Sequence, residues 1–398
     1  MNELLSVAQA VDLVLRYAGD FGTETVSIEA ASGRVLRQSV RAERPQPPYD
    51  RVMMDGIAMR CGSGPDLPCE GVLRAGGAPV SLRDGRGCIE VMTGSVLPEG
   101  TDTVVPIERL SRHGKILRLE SGYTPQKGQF IHRRASDCEA GTELLSRGVR
   151  LGGPALAVLA ANGCASVEVS RIPSIGIIST GDELVDVDAP VRGWEIRRSN
   201  EYAITGSLCS RGFTRLERSI VPDDLEATTK ALEAQLSRHD VLVLSGGVSM
   251  GIFDHVPKAL GRLGVERVFH KVAQRPGKPL WFGIGPEGQQ VFGLPGNPVS
   301  ATSCGVRYVV PLLLAGQGLR SDGTYPVILE SAADRIPTLT RFLPVSLRHD
   351  DEGRVLATSR PMSTSGDFSH LASTDGFVEL DPGQEQAPAG TRAVFHAW

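Results

Sequence analysis

The chain has 398 residues, of which 41% are hydrophobic and 22% are charged, and this composition argues against a disordered protein. Because single domains commonly span about 100–200 residues, we expect three or four compact units. The formal net charge of −4 and the aromatic content of 5% indicate neither a concentrated basic surface nor an aromatic platform, and therefore argue against nucleic-acid binding.

Cysteine spacing and hydropathy indicate the cellular compartment. The seven cysteines lie far apart without a C-x-x-C pair, which favours neither a zinc site nor a disulfide framework. The N-terminus does not combine a basic region with an apolar core, and no stretch approaches the roughly 18 uninterrupted apolar residues of a membrane span. We therefore expect a soluble, cytoplasmic protein without a membrane partner.

The first elements in the chain predict a helical unit that is interrupted by β structure. Ser6 and Gln9 form a capping-box pattern ahead of an amphipathic helix that runs toward Gly19. The stretch 23–141 is rich in valine, glycine and proline with short alternating runs, which predicts a β-rich domain. A second helix is predicted at 155–161 and is expected to pack against the first. Residues 1–22 and 142–172 would then form one helical unit around an inserted domain.

The second half of the chain alternates apolar strands with glycine-containing loops and helices. Strands are predicted at 175–178, 215–221, 241–244 and 291–294, and helices at 200–208, 225–236 and 299–314. This alternation predicts a three-layer, largely parallel α/β domain over 173–320, with ligands bound beyond the carboxyl ends of the strands. Short strands and turns over 321–398 predict a C-terminal β domain. The predicted fold class is therefore α/β plus β, in several domains.

Five glycine- and acid-rich segments indicate an anion-binding site. These segments are 47–56, 180–183, 245–251, 276–279 and 295–300. Glycines let backbone N–H groups approach a phosphate, helix N-termini add positive potential, and nearby carboxylates can hold Mg²⁺. Taken alone, each segment is explained about as well by a tight turn, a rigid helix entry or solvated lysines. Their combination favours a phosphorylated small molecule as the substrate.

Six ordered motifs resemble those of the molybdopterin molybdenumtransferase family, which includes MoeA proteins and the E domain of gephyrin. The motifs are 47–50 with 53–58, 92–94 with 98–105, 179–184, 245–251, 275–282 and 293–301. The resemblance spans nearly the whole chain. It implies an enzyme that binds adenylylated molybdopterin, takes up molybdate and, with Mg²⁺, releases AMP to form the molybdenum cofactor. It also implies four subdomains and a homodimer, with the molybdopterin adenylyltransferase and acceptor molybdoenzymes as possible partners.

The resemblance also assigns roles to individual residues. Catalytic roles fall on Asp55, Asp137, Asp254, Lys271 and Lys278. Metal-binding roles fall on Asp182, Glu183 and Asp254. Contacts to the substrate fall on Thr93, Thr180, Gly246, Gly247, Ser249, Pro295, Gly296, Asn297, Pro298 and Ser300. Because Asp55 and Asp137 are far in sequence from the glycine loops, we expect the site to be completed across a dimer interface.

The chain departs from the family pattern at several positions, and two alternative functions are weighed beside the enzyme. Arg198 replaces a usual acid, Arg275 a usual lysine and Ile252 a usual polar residue, and Gly366 lies where a Ser-His pattern is usual. One alternative is a non-catalytic molybdopterin-binding scaffold, against which the retained acids argue. The other is adenylylation of molybdopterin, which resembles the α/β domain alone and is therefore disfavoured by the flanking domains.

Overall fold

The computed structural model describes residues 4–248, 255–319, 323–360, 364 and 366–398. The predicted site residues Ser249 and Asp254, and the departure at Ile252, lie outside the described residues.

Helix α1 (Val7–Arg16) begins with the predicted capping box. The N–H of Gln9 donates to Oγ of Ser6 at 3.2 Å, and the N–H of Ser6 donates to Oε1 of Gln9 at 2.8 Å. These two bonds satisfy N–H groups that have no acceptor within the helix. The predicted start of this helix is therefore confirmed.

Helix α2 (Gly153–Ala161) packs in a different part of the molecule from α1. Val7 and Val14 of α1 belong to the hydrophobic core of the α/β domain. Ala155 and Leu159 of α2 belong to a separate core formed with the surrounding strands. The prediction that the two helices pack against each other is wrong, because a different partner covers the apolar surface of each.

The first 170 residues form the β-rich part of the molecule. Its strands are β1 (Thr23–Ser27), β2 (Val40–Arg41), β3 (Arg51–Val52), β4 (Gly56–Met59), β5 (Asp66–Leu73), β6 (Cys88–Val91), β7 (Thr103–Pro106), β8 (Leu110–His113), β9 (Ile116–Leu119), β10 (Ile131–His132), β11 (Glu143–Leu145) and β12 (Ser166–Ser170). One sheet has the order β7-β4-β6-β5-β9-β8. Strand β1 pairs antiparallel with β12, and β2 pairs with β11. The segment 23–41 therefore belongs with 142–172, and the predicted start of the inserted domain at residue 23 is too early.

The α/β domain contains a mixed sheet with the order β16-β13-β17-β21-β20-β18. The strands in this region are β13 (Ile175–Thr180), β14 (Leu184–Val185), β15 (Ile196–Arg197), β16 (Leu216–Val221), β17 (Val241–Ser245), β18 (Glu266–His270), β19 (Gln274–Arg275), β20 (Trp281–Ile284) and β21 (Gln290–Leu294). The first four strands in the sheet order are parallel, whereas β20 and β18 are antiparallel. The prediction of a parallel sheet is corrected at this edge, because the short connection from β20 to β21 returns the chain directly.

Helices cover both faces of this sheet. They are α3 (Asn200–Cys209), α4 (Leu225–Leu236), α5 (Val256–Arg262), α6 (Pro298–Cys304) and α7 (Val310–Gly316), with a π-helical turn at Gly305–Val309. Along β17, Val241 and Val243 face the core that includes α1, α3, α6 and α7, whereas Leu242 and Leu244 face the core with α4 and α5. Successive side chains of a strand point to opposite faces, so the continuous apolar run of β17 fills two cores and gives three layers.

The helical stretch Pro298–Gly316 lies inside the molecule. Among the described residues it is long and apolar enough to cross a membrane, yet 89% of its most apolar window is buried within the protein. Its apolar composition is thus explained by its position in the core of the α/β domain.

The C-terminal β structure closes into a barrel. Its strands are β22 (Tyr325–Leu329), β23 (Thr340–His349), β24 (Val355–Ser359), β25 (Gly376–Leu380) and β26 (Arg392–Ala397). Neighbouring pairs follow the order β23-β24-β22-β26-β25, and β25 pairs back to β23. Strand β19 of the α/β domain runs parallel to the start of β23, with Arg275 opposite Arg341. This pairing joins the loop after β18 to the barrel.

Candidate functional site

Two adjoining cavities lie where the parallel strands end. The first, which we call the strand-end cavity, has a volume of about 420 Å³. Its lining comes from the loops that follow β13, β16, β17 and β21, and from the start of α3. It includes Thr180, Gly181, Glu183, Arg198, Ser199, Asn200, Asp223, Gly246, Gly247, Pro295, Gly296, Asn297 and Pro298. Four of the five glycine- and acid-rich segments contribute lining residues to this cavity or to the neighbouring one described below, whereas 47–56 contributes none. Their convergence on one ligand remains a prediction.

The floor of the strand-end cavity requires glycine. Gly246 and Gly247 have φ angles of +95° and +67°, in the left-handed region that favours glycine. A Cβ atom on Gly246 would lie 2.7 Å from the carbonyl oxygen of Thr180, and one on Gly247 would lie 2.8 Å from Cγ2 of Val256. Oγ1 of Thr180 is buried and has no hydrogen-bond partner among the described residues. The loop therefore presents bare backbone beside an unpartnered hydroxyl, where a ligand can approach closely.

Asn200 holds three parts of this floor together, although it is not among the predicted site residues. Its Nδ2 donates to Oγ of Ser245 at 2.7 Å and to the carbonyl oxygen of Gly296 at 2.7 Å. The side chain thereby joins the start of α3 to the end of β17 and to the loop after β21. The sequence around Asn200 does not mark this role, because both of its partners are distant in sequence.

The loop at 295–298 leads into the first turn of α6. Pro298 occupies the first turn and Asn297 is the N-cap residue. The first N–H groups of a helix have no acceptor within it, so they are available to a ligand. Pro295 and Asn297 line the strand-end cavity, and Ser300 lines the neighbouring cavity described below. These residues thus lie around one cleft, and their contact with a substrate remains a prediction.

Three acids gather at the outer edge of the strand-end cavity. Glu183 and Asp223 line it, and Oδ1 of Asp182 accepts a hydrogen bond from the N–H of Asp223 at 3.3 Å. Asp223 was missed in the sequence, where its signal is a Pro-Asp-Asp turn directly after β16. Within the described ranges, no group of three or more His, Cys, Asp or Glu side chains is arranged to hold a metal ion. The predicted metal set of Asp182, Glu183 and Asp254 remains a prediction.

Arg198 is used internally in an ion-pair network. Its guanidinium group pairs with Asp186 and lies 3.7 Å from the carboxylate of Glu201. Glu201 is 1% exposed and accepts a hydrogen bond from Oγ of Ser179 at 2.9 Å. The arginine that departs from the family pattern therefore compensates a buried carboxylate beneath the cavity wall.

The second cavity, which we call the cationic cavity, lies between the α/β domain and the barrel and has a volume of about 710 Å³. Its charged lining residues are Arg275, Lys278, Asp334, Arg335, Arg341 and Arg360. Five of these are cations and one is an acid. In the part of the chain that the structure describes, none of the five cations forms an ion pair with a carboxylate. A concave surface lined by uncompensated positive charge attracts small anions.

A buried cluster fixes the loop that carries two of these cations. The Tyr308 hydroxyl donates to Oε1 of Gln274, which is fully buried, and Nε2 of Gln274 donates to the carbonyl oxygen of Gly277 at 3.0 Å. Gly277 has a φ of +91°, and a Cβ atom there would lie 2.5 Å from Sγ of Cys304. Burial raises the pKa of the Cys304 thiol to about 12, so this cysteine is a packing residue and not a thiolate nucleophile.

The two cavities form one cleft. Pro279, Pro295 and Asn297 line both of them. A ligand on the glycine floor can therefore extend directly into the cation-lined space.

Five of the predicted site residues that the structure describes do not line this cleft. One is Asp182, which contacts the lining residue Asp223 through its Oδ1. Lys271 precedes the cationic loop, and its N–H donates to the carbonyl oxygen of Leu280 at 2.8 Å, but it lines neither cavity. The other three, Asp55, Thr93 and Asp137, lie in the β-rich part of the chain and also line neither cavity.

Both acids of the β-rich part are held in the ionised form. Oδ1 of Asp55 accepts hydrogen bonds from Oγ1 of Thr93 at 2.6 Å and from its N–H at 2.7 Å, and these bonds lower the pKa of Asp55. His132 hydrogen-bonds Asp137 through Nε2 at 2.7 Å and lowers the pKa of Asp137. These acids are exposed on a separate surface of the same protomer.

The sequence matches three family descriptions in order along the chain. They are "MoeA N-terminal region (domain I and II)" over residues 5–163, "Probable molybdopterin binding domain" over 176–315, and "MoeA C-terminal region (domain IV)" over 327–398.

Proteins and structures that resemble this chain match it over nearly its whole length. The molybdopterin molybdenumtransferase of Synechocystis sp. is 38% identical over 400 residues, which cover 99% of this chain and 100% of the relative. The protein of the same name from Bacillus subtilis is 31% identical, with 98% and 91% covered. A crystal structure of the molybdopterin biosynthesis MoeA protein from Pyrococcus horikoshii has a TM-score of 0.82 and 28% identity, with 99% of both chains covered.

Proposed function

Because the chain belongs to the molybdopterin molybdenumtransferase family, whose members are enzymes of molybdenum cofactor biosynthesis, we propose that its two-cavity cleft is the active site. In this proposal the enzyme binds adenylylated molybdopterin, transfers molybdate to the dithiolene and releases AMP. The observation that carries the proposal is the direct junction of a bare glycine floor with a cavity lined by five cations that form no ion pair with any carboxylate the structure describes.

The pyrophosphate of the substrate binds on the glycine floor. Gly247 exposes backbone there, whereas the N–H of Gly246 donates to the carbonyl oxygen of Leu294 at 3.1 Å, and α6 begins beside the same cavity. The side chain of Asn200 holds these loops together, because its Nδ2 donates hydrogen bonds to both Ser245 and Gly296. Donors held in place before binding do not have to be ordered by the ligand.

Molybdate binds in the cationic cavity. A tetrahedral dianion accepts several charge-assisted hydrogen bonds, which Arg275, Lys278 and Arg341 are placed to donate. Ser300 adds a hydroxyl on the side toward the glycine floor. The dithiolene of the substrate then meets the oxyanion where the two cavities join, so that proximity lowers the barrier to metal transfer.

Mg²⁺ fits the acidic edge of the strand-end cavity. Asp182, Glu183, Asp223 and the unpartnered Oγ1 of Thr180 are hard oxygen donors, the ligand type that Mg²⁺ prefers. When bound, the ion offsets the negative charge of the phosphoanhydride. Mg²⁺ usually takes only one or two carboxylates together with substrate phosphates, so a complete cluster of protein ligands is not required.

A second copy of the chain completes the site. Asp55 and Asp137 carry negative charge that the hydrogen bonds from Thr93 and His132 stabilise, yet neither acid reaches the cleft of its own protomer. In a symmetric homodimer the same surface can face the cleft of the partner. The seven free cysteines are consistent with a cytoplasmic enzyme, which receives its substrate from a molybdopterin adenylyltransferase and supplies acceptor molybdoenzymes.

The function is tested with purified protein, adenylylated molybdopterin, molybdate and Mg²⁺. We expect cofactor formation with equimolar release of AMP. Lys278→Ala should raise the molybdate concentration for half-maximal rate about tenfold or more, because a charge-assisted contact to the oxyanion is lost. The matched control is Lys258→Ala on the exposed side of α5, which should behave as wild type. Binding without cofactor formation would leave a scaffold, and consumption of ATP without molybdate would indicate the adenylyltransferase.

A further inference from the structure

The segment 47–56 contributes no lining residue to the cleft, yet it contacts the turn that carries Asp137. Strand β3 in this segment pairs antiparallel with β10, and Arg51 lies directly opposite His132. Side chains at directly opposite positions of an antiparallel pair are close enough to interact. Just before the segment, the carbonyl oxygen of Gln46 accepts a hydrogen bond from the N–H of Asp137 at 2.9 Å. The one glycine- and acid-rich segment outside the cleft is therefore connected to an acid with a proposed role in the reaction.

Arg51 determines which ring nitrogen of His132 carries the proton. Nη2 of Arg51 lies 3.0 Å from Nδ1 of His132. Because a guanidinium group donates hydrogen bonds and cannot accept them, Nδ1 is the acceptor and the ring proton lies on Nε2. Nε2 in turn donates to Oδ1 of Asp137 at 2.7 Å. The three side chains thus form a chain of two hydrogen bonds, in which Arg51 donates to His132 and His132 donates to Asp137.

This chain occupies one oxygen of Asp137 and leaves the other open. Oγ of Ser136 also donates to Oδ1, at 3.3 Å, whereas Oδ2 has no hydrogen bond or ion pair among the residues that the structure describes. The nearby Arg133 does not compete for it, because its Nη1 donates to Oδ2 of Asp50 at 2.6 Å. The hydrogen bond from His132 lowers the pKa of Asp137, so the open oxygen belongs to an ionised carboxylate that can accept from a ligand.

We propose that His132 and Arg51 are positioning residues for Asp137, an inference that rests on the function proposed above. His132 fixes Oδ1 and leaves Oδ2 available to the substrate in the cleft of the second copy. Arg51 keeps the imidazole in the neutral form whose Nε2 donates. With the proton on Nδ1 instead, a lone pair of Nε2 would face the carboxylate and repel it, and a doubly protonated ring would set an N–H against the guanidinium group.

Two substitutions of His132 separate its hydrogen bonds from its bulk. His132→Gln keeps both contacts, because a glutamine amide supplies an acceptor for Arg51 and a donor for Asp137, whereas His132→Leu supplies neither. The measurement is kcat for molybdate-dependent release of AMP at saturating substrates. It should fall about tenfold or more in His132→Leu and stay within about threefold of wild type in His132→Gln. The KM for molybdate should hardly change, because the cationic cavity is untouched.

A double-mutant cycle tests whether His132 acts through Asp137. In protein that already carries Asp137→Ala, His132→Leu should not lower the residual single-turnover rate further, because the group that it positions is gone. His113→Leu, at an exposed position of β8, is the matched control and should change the rate in neither background. Thermal unfolding and sedimentation check that each variant keeps the fold and the oligomeric state of wild type.

NMR of the ring nitrogens reads the direction of the hydrogen bonds without any assay of activity. In protein labelled with ¹⁵N-histidine, the signals that disappear in His132→Gln belong to His132. Nδ1 should give the signal of an unprotonated nitrogen and Nε2 that of a protonated one at neutral pH. Arg51→Met, which keeps the aliphatic stem, should shift the Nδ1 signal toward that of a protonated nitrogen.

The outcomes separate this inference from the proposed function. A protonated Nδ1 in wild-type protein overturns the inference, because Arg51 then has no acceptor there. The same fold-loss from His132→Leu with and without Asp137 also overturns it, since the histidine would then act on the fold alone. Either result with an active wild-type enzyme leaves the proposed function intact. A wild-type protein without molybdate-dependent release of AMP overturns that function, and the inference with it.

Discussion

At the scale of single residues, steric limits at glycine explain why the cleft has a backbone floor. Gly247 combines a positive φ with close approach to Val256 and to Oγ1 of Thr180. Any side chain there would both strain the backbone and collide with its neighbours. The sequence contains the Gly-Gly pair, but only the structure identifies the atoms that exclude a side chain.

We expect Gly247→Ala to lower the melting temperature and to reduce cofactor formation. Gly212→Ala is the matched control, because Gly212 has a φ of +92° but nothing within 4 Å of its Cβ position. The control should show the backbone penalty alone, about 1 kcal/mol, whereas Gly247→Ala adds the collision. Equal melting temperatures and activities for the two variants would show that the floor tolerates a methyl group.

Asp240 gives the molecule an acid-sensitive contact at the opposite edge of the sheet. Burial raises the pKa of Asp240, but hydrogen bonds from Arg171 and Ser174 outweigh burial and lower it to about 2, from 3.8. Both guanidinium N–H contacts to the carboxylate are 2.9 Å long. A carboxyl group with a lowered folded-state pKa stabilises the fold above its unfolded-state pKa and loses that contribution as the pH falls.

For Asp240→Asn we therefore predict a flatter acid denaturation curve. In wild-type protein the free energy of unfolding should fall from about pH 4 to about pH 2 as this group takes up a proton. The variant should be less stable than wild type at pH 7 and should lose less stability over that interval. Asp12→Asn, on the exposed side of α1, serves as the control. Identical acid curves for Asp240→Asn and wild type would refute the assignment.

At the scale of elements, the helical stretch Pro298–Gly316 packs against the loop that forms one wall of the cationic cavity. Tyr308 in its π-helical turn donates to Gln274, and Cys304 packs against Gly277. Burial raises the pKa of Tyr308, which keeps its hydroxyl protonated and able to donate. The irregular turn thus places a polar group under the loop that carries Arg275 and Lys278.

Tyr308→Phe should destabilise the protein by about 1–3 kcal/mol, because Oε1 of Gln274 would be left buried without a donor. Loosening of the loop should also raise the molybdate concentration needed for half-maximal rate. Tyr325→Phe is the control, since Tyr325 is 42% exposed in the barrel. Denaturant titration measures the difference, and equal stability of both variants would show that the buried bond contributes little.

Local patterns in the sequence predicted the parallel strands and their glycine loops well. The runs at 175–178 and 241–244 are apolar enough to be buried on both faces, and each ends in a glycine loop at the same edge. The antiparallel strands β18 and β20 were missed, because β18 mixes charged and apolar residues and β20 is an apolar run of only four residues, and neither shows a clear period. Asp223 and Asn200 were missed because their importance comes from contacts between loops that are distant in sequence.

At the scale of the whole molecule, long-range pairing determines which units belong together. Strand β1 pairs with β12 across more than a hundred residues, and no local pattern near residue 23 predicts that partner. For the same reason the sequence could suggest, but not demonstrate, that acids of the β-rich part act with the cleft. These acids line neither cavity of the cleft, and in the proposed homodimer a second copy would supply them.

Mixing two impaired variants tests this arrangement, with activity measured at a molybdate concentration too low to support turnover by Lys278→Ala. Asp55→Ala removes an acid of the β-rich part, and Lys278→Ala removes a cation of the cleft. After subunit exchange, half of the dimers carry both variants and each of these has one intact site, so about a quarter of wild-type activity should return. As the control, each variant is carried through the same exchange procedure alone, and its activity should not rise. No recovery in confirmed mixed dimers would place both residues in the same protomer's site.

The central claim is that oxyanion and substrate meet in the cleft at the carboxyl ends of the strands. Anomalous diffraction from crystals soaked with tungstate, a tetrahedral dianion of nearly the same size as molybdate, tests it most directly. We predict an anomalous peak in the cationic cavity, within hydrogen-bond distance of Arg275, Lys278 or Arg341. A fully occupied peak elsewhere on the protein, with this cavity free of tungsten, would contradict the account.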